Sequence, residues 1–405
     1  MIGYLRSDGR KGIRNTVVVA YLVECAQHVA KTIVTNVNHK DVQLIGFPGC
    51  YPNDYSLKMM KQLCTHPNVG GVVLVSLGCE GFNREALQQT ITASGRPLAT
   101  LVIQNCGGTA TTIEQGTQHA KSILAQIEMT PKVEMEISEL VIGTICGGSD
   151  GTSGISANPA VGVCFDKLIE QDATCIFEET GELIGCEYIM ADRAATPEIG
   201  KALVECVEKA EKYYTKMGYG SFAPGNAEGG LTTQEEKSMG AYAKSGASLI
   251  DGIIKPGDIP QTKGLYLMDV VPDGEPMFGF PNISDNAEIV EMIASGAHMT
   301  LFTTGRGSVV GSAISPVIKI CANPDTYNKL SDDMDINAGK IIEGKATVDC
   351  VGQEIFNRVL DVANGVESKS EALGHKEFIL TYKQFDDSIV ISRNGQLGPS
   401  CMVRR

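Results

Sequence analysis

Apolar positions in the first third of the chain fall in short β-branched runs that alternate with amphipathic stretches. The pattern predicts strands over 16–24, 42–47, 71–77 and 98–104, each followed by a helix, over 26–37, 54–63, 84–93 and 109–127. Strand–helix alternation with short connections implies a parallel sheet with crossover helices. Residues 131–138 are charged, lack periodicity and follow a long helix, so the first domain boundary is placed there. A second run follows, with strands over 140–145, 174–177, 264–270 and 298–303 and helices over 198–217, 286–295 and 348–363. Gly-rich 218–230 reads as a loop, and the tail has strand character over 378–382 and 388–391. The expected class is α/β: a flavodoxin-like βα domain over 1–130, then a larger α/β domain over 138–405.

At 405 residues and 43% hydrophobic, the chain can bury two or three real cores, which excludes disorder and coiled coil. Its longest apolar runs are strand-like and far short of the ~20 residues a membrane helix needs. The first fourteen residues lack the apolar stretch of a secretory signal, so a cytoplasmic location is expected. The net charge of −14 argues against nucleic acid or an anionic membrane as partner. A small anionic substrate is still permitted, because Arg6, Arg10, Lys11 and Arg14 show that charge can be locally basic.

The cysteines number thirteen, an odd count without any Cys-x-x-Cys pair, so neither a disulfide framework nor a compact zinc site is expected. Cys64, Cys164, Cys175, Cys186, Cys206, Cys321 and Cys350 read as small buried hydrophobes. By contrast, Cys25, Cys50, Cys79, Cys106 and Cys146 each fall at or just past the carboxyl end of an expected strand, four of them beside Gly. Strand carboxyl ends form the ligand crevice of open parallel sheets, so these positions converge. Three converging thiolates suit an Fe–S cluster or another soft metal, with one iron left open as a Lewis acid. The alternative is that strand-end cysteines simply pack well.

Two polar Gly loops accompany them. Cys146-Gly147-Gly148-Ser149-Asp150 leads toward a helix near Asn158, offering backbone N–H groups to an anion. Thr303-Thr304-Gly305-Arg306-Gly307-Ser308 follows a strand, and Arg306 could grip a carboxylate with help from the hydroxyls. The first loop is not a Walker loop, and no dinucleotide fingerprint lies between the first strand and helix, so nucleotide binding is rejected. His66 and His298 read as structural, and Asp332–Asn337 as a solvated acidic turn.

Taken together, several motifs resemble the large catalytic portion of the altronate and galactarate dehydratases. They are 3–15 (GYLRSDGRKGIRN), Leu77-Gly78-Cys79-Glu80, Gly107-Gly108-Thr109, Cys146–Asp150, Pro224-Gly225-Asn226, Gly229–Thr233, Glu236-Lys237-Ser238, Phe302–Ser308 and Asp335–Gly339. The resemblance implies an iron-dependent hydro-lyase converting a sugar acid to a 2-keto-3-deoxy acid. It also implies a small SAF-type domain, absent from this chain and expected as a separate subunit of a homo-oligomer. Cys50 is retained but without the His that relatives carry nearby, and Cys106 stands where relatives more often have another residue. The site expected on this basis has iron, as Fe2+ or a three-Cys 4Fe–4S cluster, on Cys50, Cys79 and Cys146, with Cys25 in reserve. Lys237 or Glu80 would be the base, and Arg306 and Arg14 would clamp the carboxylate. Ser149, Asp150, Thr303, Thr304 and Ser308 would line the substrate. A related lyase such as sulfolactate sulfo-lyase, or a non-catalytic iron-binding subunit, is the alternative.

Overall fold

The β-branched runs become the central strands of two parallel sheets in a computed structural model that describes residues 1–218, 224–275 and 284–385. The chain opens with β1 (Ile2–Leu5) and β2 (Lys11–Gly12), then β3 (Thr16–Tyr21), α1 (Gln27–Val37), β4 (Val42–Gly46), α2 (Asp54–Cys64), β5 (Val69–Ser76), α3 (Arg84–Ala93), β6 (Leu98–Val102) and α4 (Thr109–Ile127). Strands β3 to β6 form one four-stranded parallel sheet in the order β4-β3-β5-β6. This is the doubly wound arrangement expected of a flavodoxin-like unit. All eight residues of β5 are buried, as a strand covered on both faces requires.

The charged stretch after α4 is not a plain connection. Its β7 (Lys132–Glu134) returns to pair antiparallel with β1, which also holds β2, in a small three-stranded sheet. These short strands carry too few apolar positions to show a period.

The second sheet is built from β8 (Val141–Cys146), β9 (Thr174–Phe177), β10 (Ile250–Ile254), β11 (Gly264–Met268), β12 (Met299–Thr304), β13 (Val317–Cys321) and β14 (Ile336–Asn337). Its seven strands run in the order β10-β11-β9-β8-β12-β13-β14, all parallel, so β9, β8 and β12 are central. The helices are α5 (Ala157–Ile169), α6 (Glu187–Asp192), α7 (Pro197–Met217), α8 (Pro224–Glu228), α9 (Gln234–Ala243), α10 (Asp285–Ala294), α11 (Pro324–Lys329), α12 (Val348–Ala363) and α13 (Lys369–Leu373). One face of this sheet packs on α5, α7 and α12, with Val161, Phe165, Leu203 and Ile355 in its core. The other face shares a core with the first sheet, in which Ile45, Met59 and Leu74 meet Ile176, Tyr266 and Ile289. None of the described helices is long and apolar enough to cross a membrane.

Residues 378–382 are irregular rather than a strand, and they pack Leu380 and Tyr382 into the shared core. The strand character at 388–391 lies outside the described residues, as does part of the loop expected over 218–230, whose remainder contains α8.

Candidate active site

Cys146 ends β8 in the middle of the second sheet and is 2% exposed. Its N–H donates to Glu179 Oε1 at 2.6 Å, and its Sγ lies 3.3 Å from both Glu179 Oε2 and Glu182 Oε2. The Ser149 hydroxyl donates to the same sulfur at 3.2 Å. The ammonium of Lys237 completes the group, 3.1 Å from Cys146 Sγ, 2.8 Å from Ser149 Oγ and 2.7 Å from Glu182 Oε2.

Local sequence explains how these side chains meet. Lys237 rides on α9, whose N-cap Thr233 accepts the Glu236 N–H at 3.2 Å and whose first turn is acidic. Gly240 on that helix lies flush on Gly154, where a Cβ would meet the Gly154 Cα at 3.1 Å, so the helix settles close enough to bury Lys237 at 3% exposure. Glu179 has a left-handed backbone, φ 93°, unusual for a side chain of its size and costing on the order of 1–3 kcal/mol. That turn sets its carboxylate against Cys146 and against the buried ammonium of Lys244, with which it forms an ion pair.

Electrostatics give each group a state. Burial alone would lower the Lys237 pKa, but the Cys146 sulfur and the Glu182 carboxylate outweigh it and hold the group above its ordinary value. That direction favours the charged form of Lys237, a state suited to meeting negative charge rather than to taking a proton. Asp285, the first residue of α10, lies against the Gly147 backbone, where a Cβ would come within 2.1 Å of its Oδ2. Although Asp285 opens to solvent, the protein packed round its carboxyl and the nearby Glu182 push its pKa up to about 6.

The remaining expected residues separate into two groups. Asp150, Thr303, Thr304 and Ser308 hold the loops together. Asp150 accepts from the Thr152 N–H at 2.8 Å and from Asn323 Nδ2 at 3.1 Å. Thr303 donates to Asn158 Oδ1 at 2.6 Å, Thr304 accepts the Gly307 N–H, and Ser308 accepts the Val310 N–H. Arg306 stands at the rim, 42% exposed, where it bonds the Gly225 carbonyl and lies 3.2 Å from Glu228.

Arg14 and Glu80 are not brought to this group. Arg14 precedes β3, at the amino end of the first sheet, and its guanidinium is spent on Glu371 at 2.7 and 2.8 Å and on the carbonyls of Ile13, Val362 and Val366. It ties the start of the chain to its end, and those contacts occupy the groups a substrate carboxylate would need. Glu80 accepts from the Ser76 hydroxyl and the Gly78 N–H, and these bonds outweigh burial and hold it below its ordinary pKa, a poor state for a base.

The thiols also divide. Cys25, Cys50, Cys79 and Cys106 follow the four strands of the first sheet, three of them exposed, and the Gly81 N–H donates to the Cys50 carbonyl at 2.8 Å. Cys146 instead sits on the second sheet with its sulfur already ringed by four side chains. Among the described residues, the group of metal-ligating side chains gathered within 4.8 Å is Cys146, Glu179 and Glu182, without Cys50 or Cys79. Of the cysteines expected to be buried, Cys206 is half-buried and Cys350 exposed, while Cys64, Cys164, Cys175, Cys186 and Cys321 are buried. The acidic turn is also structural: Asp335 receives Arg358 at 2.9 Å and the Lys319 N–H at 3.0 Å.

The sequence reading missed Glu179, Glu182, Lys244 and Asp285. A signal for the first two existed, since Glu178-Glu179-Thr180-Gly181-Glu182 directly follows the strand expected over 174–177. The rule applied to the cysteines applies equally there.

Two family models match. "D-galactarate/Altronate dehydratase, C-terminal" covers residues 137–385, and "D-galactarate dehydratase/Altronate hydrolase, second domain" covers residues 3–128. The chain is 32% identical over 394 residues to the (2R)-sulfolactate sulfo-lyase subunit beta of Chromohalobacter salexigens, covering 94% of this chain and 96% of that one. It is 32% identical over 390 residues to the galactarate dehydratase (L-threo-forming) of Escherichia coli, covering 90% and 72% respectively. An altronate dehydratase of Bacillus subtilis is 29% identical over 394 residues, covering 93% and 76%.

Proposed function

We propose that this chain, which belongs to the D-galactarate/altronate dehydratase family of lyases, removes water from a sugar acid bearing hydroxyls at C2 and C3 to give a 2-keto-3-deoxy acid. The observation that carries this reading is the buried Lys237 ammonium, paired with Glu182, near Asp285, whose carboxyl is raised to about 6, at the carboxyl edge of the second sheet.

The C2 proton of such an acid is weakly acidic, and its removal loads negative charge onto the carboxylate. Asp285, near neutrality in pKa and open to solvent, takes that proton. Lys237 lies in place to stabilise the resulting enediolate. As the C3–O bond breaks and the C2=C3 enol forms, Asp285 passes the proton it took from C2 to the leaving hydroxyl, which departs as water. The enol then ketonises, so the net change is loss of one water. Arg306 at the rim meets the substrate carboxylate, replacing its contact with Glu228.

Iron fits one part of this site. A thiolate and two carboxylates suit a single divalent ion of borderline softness, which Cys146, Glu179 and Glu182 would hold. It would supply Lewis-acid polarisation of a substrate oxygen. A cluster on Cys146 would have to displace Lys237, Ser149, Glu179 and Glu182 from its sulfur, so the three-cysteine arrangement does not fit these residues.

A second lyase reading, expulsion of sulfite in place of water, is favoured by the near full-length match to a sulfolactate sulfo-lyase subunit. That relative is named as one subunit of an enzyme, which supports a separate small chain completing this one. The test is to assay the chain, alone and with a small SAF-type subunit, against aldonates, aldarates and sulfolactate, measuring 2-keto acid and sulfite. Keto acid without sulfite supports the dehydratase, sulfite selects the second reading, and neither product from any substrate sinks both.

A further inference from the structure

Lys237 touches two of the three side chains that would hold a metal. Its ammonium lies 3.1 Å from Cys146 Sγ and 2.7 Å from Glu182 Oε2, and both residues belong, with Glu179, to the group gathered within 4.8 Å. An ion on Glu182 Oε2, at the usual ~2.1 Å, would stand no more than about 5 Å from an ammonium that kept its own 2.7 Å contact with that oxygen. Lys237 is 3% exposed, so water does little to screen two cations at that range. Ammonium and metal therefore compete for the same negative donors.

Two lysines neutralise the group, and they differ in what they keep when its donors are taken. Lys237 on α9 and Lys244 at its C-cap are seven positions apart, two helical turns, and pair with Glu182 and Glu179 respectively. Lys244 is fully buried, and among the described residues its ammonium makes no hydrogen bond beyond the ion pair with Glu179. Leaving Glu179 would strand a buried charge. Lys237 has a second place to go, because Ser149 Oγ accepts from it at 2.8 Å and is no member of the donor group. Its partner Glu182 is also the more exposed of the two acids, at 18% against 4%. Lys237 is the cation able to yield.

We infer that Lys237 is a built-in counter-ion of the Cys146, Glu179 and Glu182 group, which a divalent ion displaces from Cys146 and Glu182 onto Ser149. The exchange changes what the ammonium can do. Held by Cys146 and Glu182 it is fully engaged, whereas on Ser149 alone it has lost its anionic partners and is open to an anionic substrate. Metal and substrate anion then favour one another's binding through the same lysine, and each raises the affinity of the other by the same factor. This exchange rests on the metal reading of the group given above, and it is tested without substrate or turnover.

The experiment is Co2+ titration of the full-length chain after chelator treatment, read by the near-ultraviolet absorbance of a cobalt–thiolate bond. It is run on wild type, Lys237→Met, Lys237→Arg, Lys209→Met and Cys146→Ser. Apparent affinity falls with the fraction of molecules whose donors are uncovered, so Lys237→Met should bind Co2+ at least about tenfold more tightly than wild type. Lys237→Arg keeps a cation in place and should bind no more tightly than wild type. Lys209→Met removes one positive charge from the same sheet edge, where Lys209 pairs with Asp269 and Asp273, and should leave the affinity within about threefold. Cys146→Ser should abolish the absorbance. Thermal melting covers the case of an unstable Lys237→Met, since Co2+ should raise its melting temperature by more than that of wild type. Equal or weaker Co2+ binding by Lys237→Met, or equal tightening by Lys209→Met, would overturn the exchange and leave the metal reading standing. Absorbance that survives Cys146→Ser, or none in any variant, would overturn both.

Discussion

Replacing Lys237 by Met keeps the stem of the side chain and deletes its charge. The ammonium is 3% exposed and touches Glu182 at 2.7 Å, Ser149 at 2.8 Å and Cys146 at 3.1 Å, so its loss strands a carboxylate in a poorly solvated site. Breaking a buried pair on one side costs about 3–5 kcal/mol. Glu182 keeps 18% exposure and Glu179 keeps Lys244, so the low end, about 3 kcal/mol, is expected in urea unfolding at neutral pH. The double variant with Glu182→Gln should recover part of that loss, because no stranded charge remains. The group's folded pKa is raised, so its contribution is full below the ordinary value of 10.5 and disappears as pH rises past it through the folded value. Wild type and variant should therefore converge in stability only in strong alkali. In turnover, removing the cation that meets the enediolate should lower kcat by roughly 10²–10³ with KM little changed. A variant with kcat within about threefold of wild type would refute the assignment of Lys237 to the reacting centre. If stability also stayed within about 0.5 kcal/mol of wild type, the buried ion pair itself would be in error.

Arg14→Ala should destabilise the fold by about 1–3 kcal/mol through the lost Glu371 pair while leaving KM unchanged, and a raised KM at unaltered stability would restore it as a clamp. Asp8 provides a pH marker at the other end of the chain. Burial would raise its pKa, but Arg10 and Arg96 hold it at about 2, so its contribution is present above 3.8 and lost as pH falls toward 2. Allowing for its partial exposure, Asp8→Asn should cost about 1 kcal/mol at pH 7, and that cost should shrink steadily as pH falls from 3.8 through 2, read from urea midpoints across that range. Anaerobic iron and acid-labile sulfide analysis should find iron without sulfide, retained in Cys79→Ala and lost in Cys146→Ser. Sulfide in the wild type, lost with Cys79, would instead support the three-cysteine cluster.

Much of the fold was legible because its strands are fully buried and β-branched while its long helices are amphipathic. The helices over 84–93, 109–127 and 348–363 fall where periodicity puts them, and β3 to β6 differ from expectation only at their ends. What periodicity could not carry was short or mixed in character. α9 has few apolar positions, since its buried face is made of Lys237, Ser238, Gly240 and Ala241. β1, β2 and β7 span two to four residues each and exist only through their pairing with one another. β10 is isolated in sequence by the Gly that breaks its apolar run at Gly252.

The candidate site was legible to the extent that one rule, convergence at strand carboxyl ends, pointed to Cys146 and the family resemblance to Lys237, which the structure places 3.1 Å apart. The same rule led astray where it treated all strand ends as one crevice. The chain has two parallel sheets with two carboxyl edges, and Cys50 and Cys79 belong to the first while Cys146 belongs to the second. A residue type also misled: a cysteine drew attention that Glu178-Glu179-Thr180-Gly181-Glu182 deserved equally. Those acids look like a solvated turn in sequence, yet Glu178 and Glu179 are buried and Glu179 holds a left-handed backbone that no solvated loop would need. Strain kept at a non-Gly residue must be offset by what it positions, and here it positions one carboxylate against both the Cys146 N–H and the Lys244 ammonium. Glu179→Gly would relieve that backbone while removing the carboxylate, and Glu179→Gln would keep the strain without the charge. If the strain is held for the sake of the charge, Glu179→Gln is the less stable of the two despite its nearer shape, and the reverse order would sever the backbone from the chemistry.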